Sequence, residues 1–225
     1  MRFTPKVIIW MGLAIAMCGS ARAQEEYETQ FNANVGTTIS APLNPAARFV
    51  NIGWGLTTGA GYNFTRKHAV IGEFMWNKLY PTQLALQPVL FAFQRPSVGA
   101  YTNVFAATGD YRYELRGNFV GVYFIGGGGW YDRNASIHPQ LPINTAVSCT
   151  PTWIWWGYTC KSGLVTTSFI PSAYTSNVFG VNGGIGFTVR TGPAPYRVYV
   201  ESRYHYAPTR TFNTQVIDIT IGIRY

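Results

Sequence analysis

Apolar and polar residues alternate along eight stretches between Phe31 and Tyr225. A period of two is the mark of a strand with two unlike faces. In the first stretch Phe31, Ala33, Val35 and Ile39 oppose Asn32, Asn34, Gly36 and Thr38. In the second, Val50, Ile52, Trp54, Leu56, Ala60, Tyr62 and Phe64 oppose Asn51, Gly53, Gly55, Thr57, Gly59, Gly61 and Asn63. His68 to Tyr80 sets Val70, Phe74 and Trp76 against Glu73, Met75 and Asn77. Gly99 to Leu115 sets Tyr101, Phe105, Tyr111 and Tyr113 against Thr102, Thr108, Asp110, Arg112 and Glu114. Phe119 to Tyr131, Val178 to Arg190 and Arg197 to Ala207 repeat the habit, and Ile217 to Tyr225 alternates without a break.

The polar face is mostly Gly, Asn and Thr, with charges in ones and twos, while the other face is continuous Val, Ile, Phe, Trp and Tyr. Small polar side chains suit the inside of an eight-stranded barrel, which is only wide enough for side chains to fill. An apolar outer band with aromatics towards strand ends suits lipid; Tyr62, Phe64, Trp76, Tyr80, Trp130 and Tyr225 lie there. The expected fold is therefore all-β, an eight-stranded antiparallel up-and-down transmembrane β-barrel. The second, fourth and sixth connections are short (Thr65 to Lys67, Arg116 to Asn118, Thr191 to Tyr196), and the fifth, Asn134 to Ser176, is long. Bacterial barrels have short periplasmic turns and longer external loops, which predicts an external loop 134–176 and both termini in the periplasm.

Composition sharpens this picture. Charged residues make up 12% of the 225, about half the 25% usual for a soluble domain, and too few for an ordinary aqueous surface. High aromatic content argues against disorder. Beyond residue 23 no apolar run approaches the roughly 20 residues of a membrane helix. Residues 1–23 read as a cleaved export signal: Arg2 and Lys6, an apolar run Val7 to Met17, then Ala21-Arg22-Ala23. The barrel domain is then 24–225. A membrane anchor needs a longer run, and a lipid-modified Cys18 needs a smaller residue than Met17. The remaining basic residues are dispersed, so a nucleic-acid partner, which wants a clustered basic face, is not expected.

The C-terminal run Ile217-Asp218-Ile219-Thr220-Ile221-Gly222-Ile223-Arg224-Tyr225 resembles the closing strand of bacterial outer-membrane proteins. The glycine-rich runs Gly126 to Trp130 and Gly183 to Phe187 resemble small OmpA/OmpX-like barrels. The resemblance implies location in the cell outer membrane, contact with its lipids including lipopolysaccharide, and recognition of Tyr225 as an assembly signal by the outer-membrane assembly machinery. It also implies a chain without the peptidoglycan-binding domain of some relatives.

Four groups of residues could carry function. Glu73, Asp110, Arg112, Glu114, Glu201, Arg203, Asp218 and Arg224 fall on the inner face; they form either an interior charge network that fills the barrel or the lining of a narrow passive pore, and buried ions must be paired. Cys149 and Cys160 would pair as a disulfide in an oxidising compartment; closing so short a loop is worth about 3 kcal/mol in the chain-entropy model. Between them Trp153, Trp155, Trp156 and Tyr158 form a candidate recognition loop, for an external protein or glycan, or else a cover for the barrel mouth. His205-Tyr206 resembles the His-Tyr-Ser segment of lipid A deacylases, but Ala207 and Pro208 stand where that family has Ser and Asn. A Ser hydrolase needs its hydroxyl beside the imidazole, so no catalytic residue is assigned. With His68 and His138 scattered, no metal or other cofactor site is expected. The expected role is non-catalytic, structural or adhesion-type; the alternatives are a lipid A-modifying enzyme and a small pore.

Overall fold

The computed structural model describes residues 30–93, 99–138, 147–153, 157–162, 174–192, 195–208 and 213–225. In chain order the elements are β1 (Phe31–Pro42), a 3-10 turn (Ala46–Arg48), β2 (Val50–Asn63), β3 (His68–Pro81) and helix α1 (Gln83–Phe93). There follow β4 (Gly99–Arg116), β5 (Val120–His138), β6 (Val147–Trp153), β7 (Gly157–Ser162), β8 (Tyr174–Arg190), β9 (Arg197–Ala207) and β10 (Thr214–Arg224). Eight strands close into an antiparallel barrel in the order β1-β10-β9-β8-β5-β4-β3-β2, and β6 and β7 form a separate hairpin. The seam is a full ladder, from Asn34 opposite Arg224 to Pro42 opposite Val216. Closure leaves no sheet edge within the barrel, so every strand finds backbone partners on both sides.

Burial follows the period of two. β1 alternates strictly, with Asn32, Asn34, Thr38 and Ser40 buried and Phe31, Val35 and Ile39 exposed. The same sorting puts Phe74, Trp130, Phe187 and Ile221 on the outer surface. Among the described residues no helix is long and apolar enough to cross a membrane.

The alternation fails at two adjacent positions, Val50 and Asn51, the latter expected inward but exposed. It puts Val50 outward with Ile52 and Trp54, whereas Val50 is buried and the other two are exposed. A register shift between Asn51 and Trp54 explains the reversal, because an extra residue in one strand turns everything before it to the opposite face.

The long connection is also shorter than the expected 134–176. The ladder continues through Arg133–Ser176, Asn134–Thr175 and Ala135–Tyr174, and β4 and β5 pair up to Gly99–His138. Once a strand leaves the lipid, both of its faces meet water, so Asp132 to His138 carries no apolar–polar contrast that would mark it as strand. The β6–β7 hairpin and α1 were likewise unmarked. Thr82 caps α1, its Oγ1 accepting from the Ala85 N–H at 3.3 Å; Pro88 within the helix interrupts the usual sequence signal.

Glycines set how tightly the wall can curve. A Cβ on Gly129 would lie against the β4 backbone, 2.6 Å from the Thr108 Cα, whereas a Cβ on outward Gly109 would meet nothing within 4 Å. We therefore expect Gly129→Ala to destabilise the barrel by about 1–3 kcal/mol, the usual cost of overpacking, and Gly109→Ala to leave it nearly unchanged. Urea unfolding in detergent, followed by tryptophan fluorescence, checks this; equal midpoints for the two variants would contradict it.

Candidate functional site

The barrel interior concentrates the ionisable chemistry of the chain, and it does so through register. Glu73 stands opposite Gly59, Asp110 opposite Gly127, Glu201 opposite Gly186 and Arg203 opposite Gly184. The space a side chain at these glycines would need is taken by Asn34 and Ile71 beside Gly59, by Asp110 beside Gly127, by Tyr123 beside Gly186 and by Arg203 beside Gly184.

Arg203 is the hub. Its Nη1 donates to Glu73 Oε1 at 2.7 Å and to Asp110 Oδ2 at 3.2 Å, and its Nε donates to Glu201 Oε1 at 2.7 Å. The remaining carboxylate oxygens are taken as well. Asn34 donates to Glu73 Oε2 at 3.1 Å, Asn182 to Asp110 Oδ1 at 2.7 Å, and the Tyr123 hydroxyl to Glu201 Oε2 at 2.8 Å. Such charge-assisted bonds are the strong ones, and a network is worth having in a barrel only when its members are satisfied.

Towards the long-loop end, Asn77 donates to Asp218 Oδ2 at 2.9 Å. His205 Nε2 lies 3.5 Å from the same oxygen, and the Tyr131 hydroxyl is 2.9 Å from His205 Nδ1. Beyond them an apolar cluster of Val50, Met75, Leu79, Val104, Ala106 and Ala207 meets Ala85 of α1. Arg133 crosses above, donating to Thr214 Oγ1 at 2.5 Å and Ser176 Oγ at 2.9 Å. Towards the short-turn end, Glu114 receives Arg116 at 3.2 Å, with Arg112 at 3.6 Å and Arg224 at 4.0 Å. The Arg224 guanidinium lies over Tyr123 and Tyr199, 4.4 and 4.9 Å from their ring centres.

All eight charged residues expected on the inner face are therefore buried, but in three groups. Glu73, Asp110, Glu201 and Arg203 meet in the middle, Asp218 lies on the long-loop side, and Arg112, Glu114 and Arg224 lie on the short-turn side. The alternation also puts Asn77, Tyr123, Asn182 and Tyr199 inward without showing that they join these groups. Arg133 escapes it, because the predicted strand ends at Tyr131. The His205 ring is buried and shares its nitrogens between Tyr131 and Asp218; with Ala207 two residues on, this is a packed imidazole facing away from lipid.

Cys149 stands opposite Cys160 in the β6–β7 ladder, and Trp153 and Tyr158 belong to the same hairpin. Trp155 and Trp156 lie outside the described residues. Tyr225 extends the seam, its N–H donating to the Ala33 carbonyl at 2.9 Å, and its ring packs 5.5 Å from that of Tyr196.

Comparison with known proteins agrees with this architecture. The family described as outer membrane protein beta-barrel domain matches residues 11–225. The chain belongs to that family. This outer-membrane barrel is similar in structure to the attachment invasion locus protein Ail of Yersinia pestis, at 12% identity over 87% of this chain and 97% of that one, with a TM-score of 0.46. It is also similar to Neisserial surface protein A, at 14% identity over 87% and 96% of the two chains and a TM-score of 0.49. For OprG of Pseudomonas aeruginosa the identity is 14%, the coverage 87% and 94%, and the TM-score 0.43. Likeness at this level says nothing of function. No curated protein matches the chain.

The central network of this barrel makes a direct prediction. Arg203→Leu leaves Glu73, Asp110 and Glu201 facing one another without their cation, and breaking a buried ion group in this way costs about 3–5 kcal/mol. Ile219→Val, on the outer surface, is expected to change stability by no more than about 0.5 kcal/mol. Denaturant unfolding of both variants in the same detergent decides; an unshifted midpoint for Arg203→Leu would remove the network from the account of stability.

Proposed function

We propose that this outer-membrane barrel is a non-catalytic surface protein. In this reading residues 1–23 are removed on export, the short turns and both termini face the periplasm, and the long-loop end is presented outside for recognition. The observation that carries it is an asymmetry of strand length. β4, β5 and β8 run for 18, 19 and 17 residues, whereas β9 and β10 have 11 each. Crossing the membrane takes about 9–11 tilted residues. β8 pairs with β9 only as far as Val181–Tyr206, yet it stays paired with β5 up to Tyr174. These three neighbours therefore rise as a wall beyond the span, at one end of the barrel, and α1 and the β6–β7 hairpin lie against each other at that same end. A span alone gives no reason for such an extension, whereas a recognition surface on a rigid scaffold does.

The hairpin supports a cross-linked form of that surface. Directly opposed residues of an antiparallel pair have Cα atoms about 4.5–5.5 Å apart, inside the range of about 4.4–6.8 Å that a disulfide needs. In the reading proposed, Cys149 and Cys160 are bonded and hold Trp153, Trp155, Trp156 and Tyr158 in one compact loop. The interior gives the pore and lipid-modifying readings less support. The apolar cluster around Ala85 stands across the long-loop end, and the His205 ring is walled in by Tyr131 and Asp218.

The reading is tested by replacing residues 139–173 with a short Gly-Ser link and displaying both proteins on a non-adherent laboratory bacterium. Adherence is scored on surfaces coated with heparin, laminin or fibronectin. The parent is expected to adhere to at least one coating and the variant to lose about tenfold of that adherence, equivalent to 1.4 kcal/mol, while both keep heat-modifiable migration on gels. Equal adherence would overturn the recognition role. Thiol alkylation of the displayed parent should label neither cysteine until a reductant is added.

A further inference from the structure

The short-turn end of the barrel carries an imbalance that the rest of the interior avoids. Inward positions there belong to Arg112 and Arg116 on β4, Arg190 at the end of β8, Arg197 at the start of β9 and Arg224 on β10. Arg190 stands opposite Arg197 in the ladder, and Arg197 opposite Arg224. Like charges placed directly opposite each other destabilise a sheet. Arg112 interacts electrostatically with Arg224 and Arg116, and Arg197 with Arg116 and Arg190. Among the described residues the side-chain carboxylate that these guanidinium groups meet is that of Glu114. The next acid inward, Glu201, is already engaged by Arg203 and Tyr123.

Donors outnumber acceptors as well. Arg112 and Arg224 are only 2% and 4% exposed. Nevertheless Nε and Nη1 of each, together with Nη1 of Arg197, have no hydrogen-bond acceptor among the described residues. Arg112 has one hydrogen bond, from Nη2 to Asn63 Oδ1 at 3.3 Å. Two rings flank the Arg224 guanidinium. Arg197 donates from Nη2 to the Gly117 carbonyl at 3.1 Å and Arg190 from Nε to the Gly192 carbonyl at 3.2 Å, so both are anchored at the rim. Buried donors of this kind nearly always have an acceptor in a folded protein.

We infer that this mouth is an anion site for a phosphate-bearing ligand that enters from the short-turn side. Guanidinium forks match phosphate oxygens two at a time. Arg190 is exposed and the Arg116 side chain is one-third exposed, at 34%, so the ligand has a way in; the Arg203 network limits how deep it goes. A phosphate between Arg112, Arg197 and Arg224 would supply the missing acceptors and relieve the Arg–Arg repulsion together. The source of the phosphate is either a free anion of the compartment or a phospholipid headgroup at the rim. This inference does not depend on what the long-loop end recognises.

The test is titration of the folded protein in neutral detergent with pyrophosphate at constant ionic strength, by calorimetry. Saturable binding with one equivalent is expected, weakened roughly tenfold or more by Arg190→Gln with Arg197→Gln, two rim substitutions that should leave heat-modifiable folding intact. Absence of saturable binding, or binding that ignores this double variant, would overturn the site. So would binding that appears only after Glu25, Glu26 and Glu28 are changed together to Gln, since the chain's own carboxylates would then be the occupant. The source is separated by repeating the titration in phosphatidylcholine and phosphatidylglycerol bilayers. Loss of pyrophosphate binding in the anionic bilayer assigns a lipid headgroup, and unchanged binding in both assigns a free anion; either result upholds a phosphate site.

Discussion

The whole molecule answers to one constraint, the narrowness of a barrel closed by eight strands. Inside it a large side chain on one strand needs the neighbouring position left bare, and a charge needs a partner of opposite sign. Gly59, Gly127, Gly186 and Gly184 meet the first demand, leaving room for Asn34, Asp110, Tyr123 and Arg203. The three-way grip of Arg203 on the carboxylates meets the second. A chain with so few charges places five of its nine acids inside. The shortage of charge thus falls on the outer wall.

Along its axis the interior changes character. Apolar packing under Ala85 gives way to hydrogen-bonded carboxylates, and these to arginines crowded around Glu114. In the first two layers carbon is buried and the carboxylates of Glu73, Asp110 and Glu201 are matched by donors. The third holds the unmatched guanidinium N–H groups of Arg112 and Arg224. In the reading proposed, chemistry that reaches beyond the chain is concentrated at the two ends, as happens when function is grafted on a shared fold.

How far the sequence revealed this depended on whether lipid was nearby. Where a strand crosses the membrane, its two faces meet opposite environments, and Ile219, Ile221 and Ile223 against Asp218, Thr220 and Arg224 can be read directly. Where β5 rises clear of the membrane that contrast vanishes, so Arg133 and the ladder beyond it went unread. Val50 was misread for a different reason: a single-residue bulge has no signature of its own beside Gly53. Membership of the inner face was legible for Arg203, but its partners Glu73 and Asp110 were not, because they come from β3 and β4 and only the register of a closed barrel brings them to it. Cys149 and Cys160 could be paired by number alone, while the hairpin that sets them opposite each other has no alternation to announce it.

The seam between β1 and β10 joins residues roughly 190 positions apart, such as Asn34 and Arg224, and closure over so long a loop is entropically slow and rewarded late. Until the last strand is in place, both β1 and β9 present bare edges, and the interior lacks Asp218 and Arg224. A chain shortened by even this one strand would lose backbone pairing on two sides and unbalance the charges at both ends of the cavity. The final segment therefore bears on both the closure of the wall and the charge balance inside it.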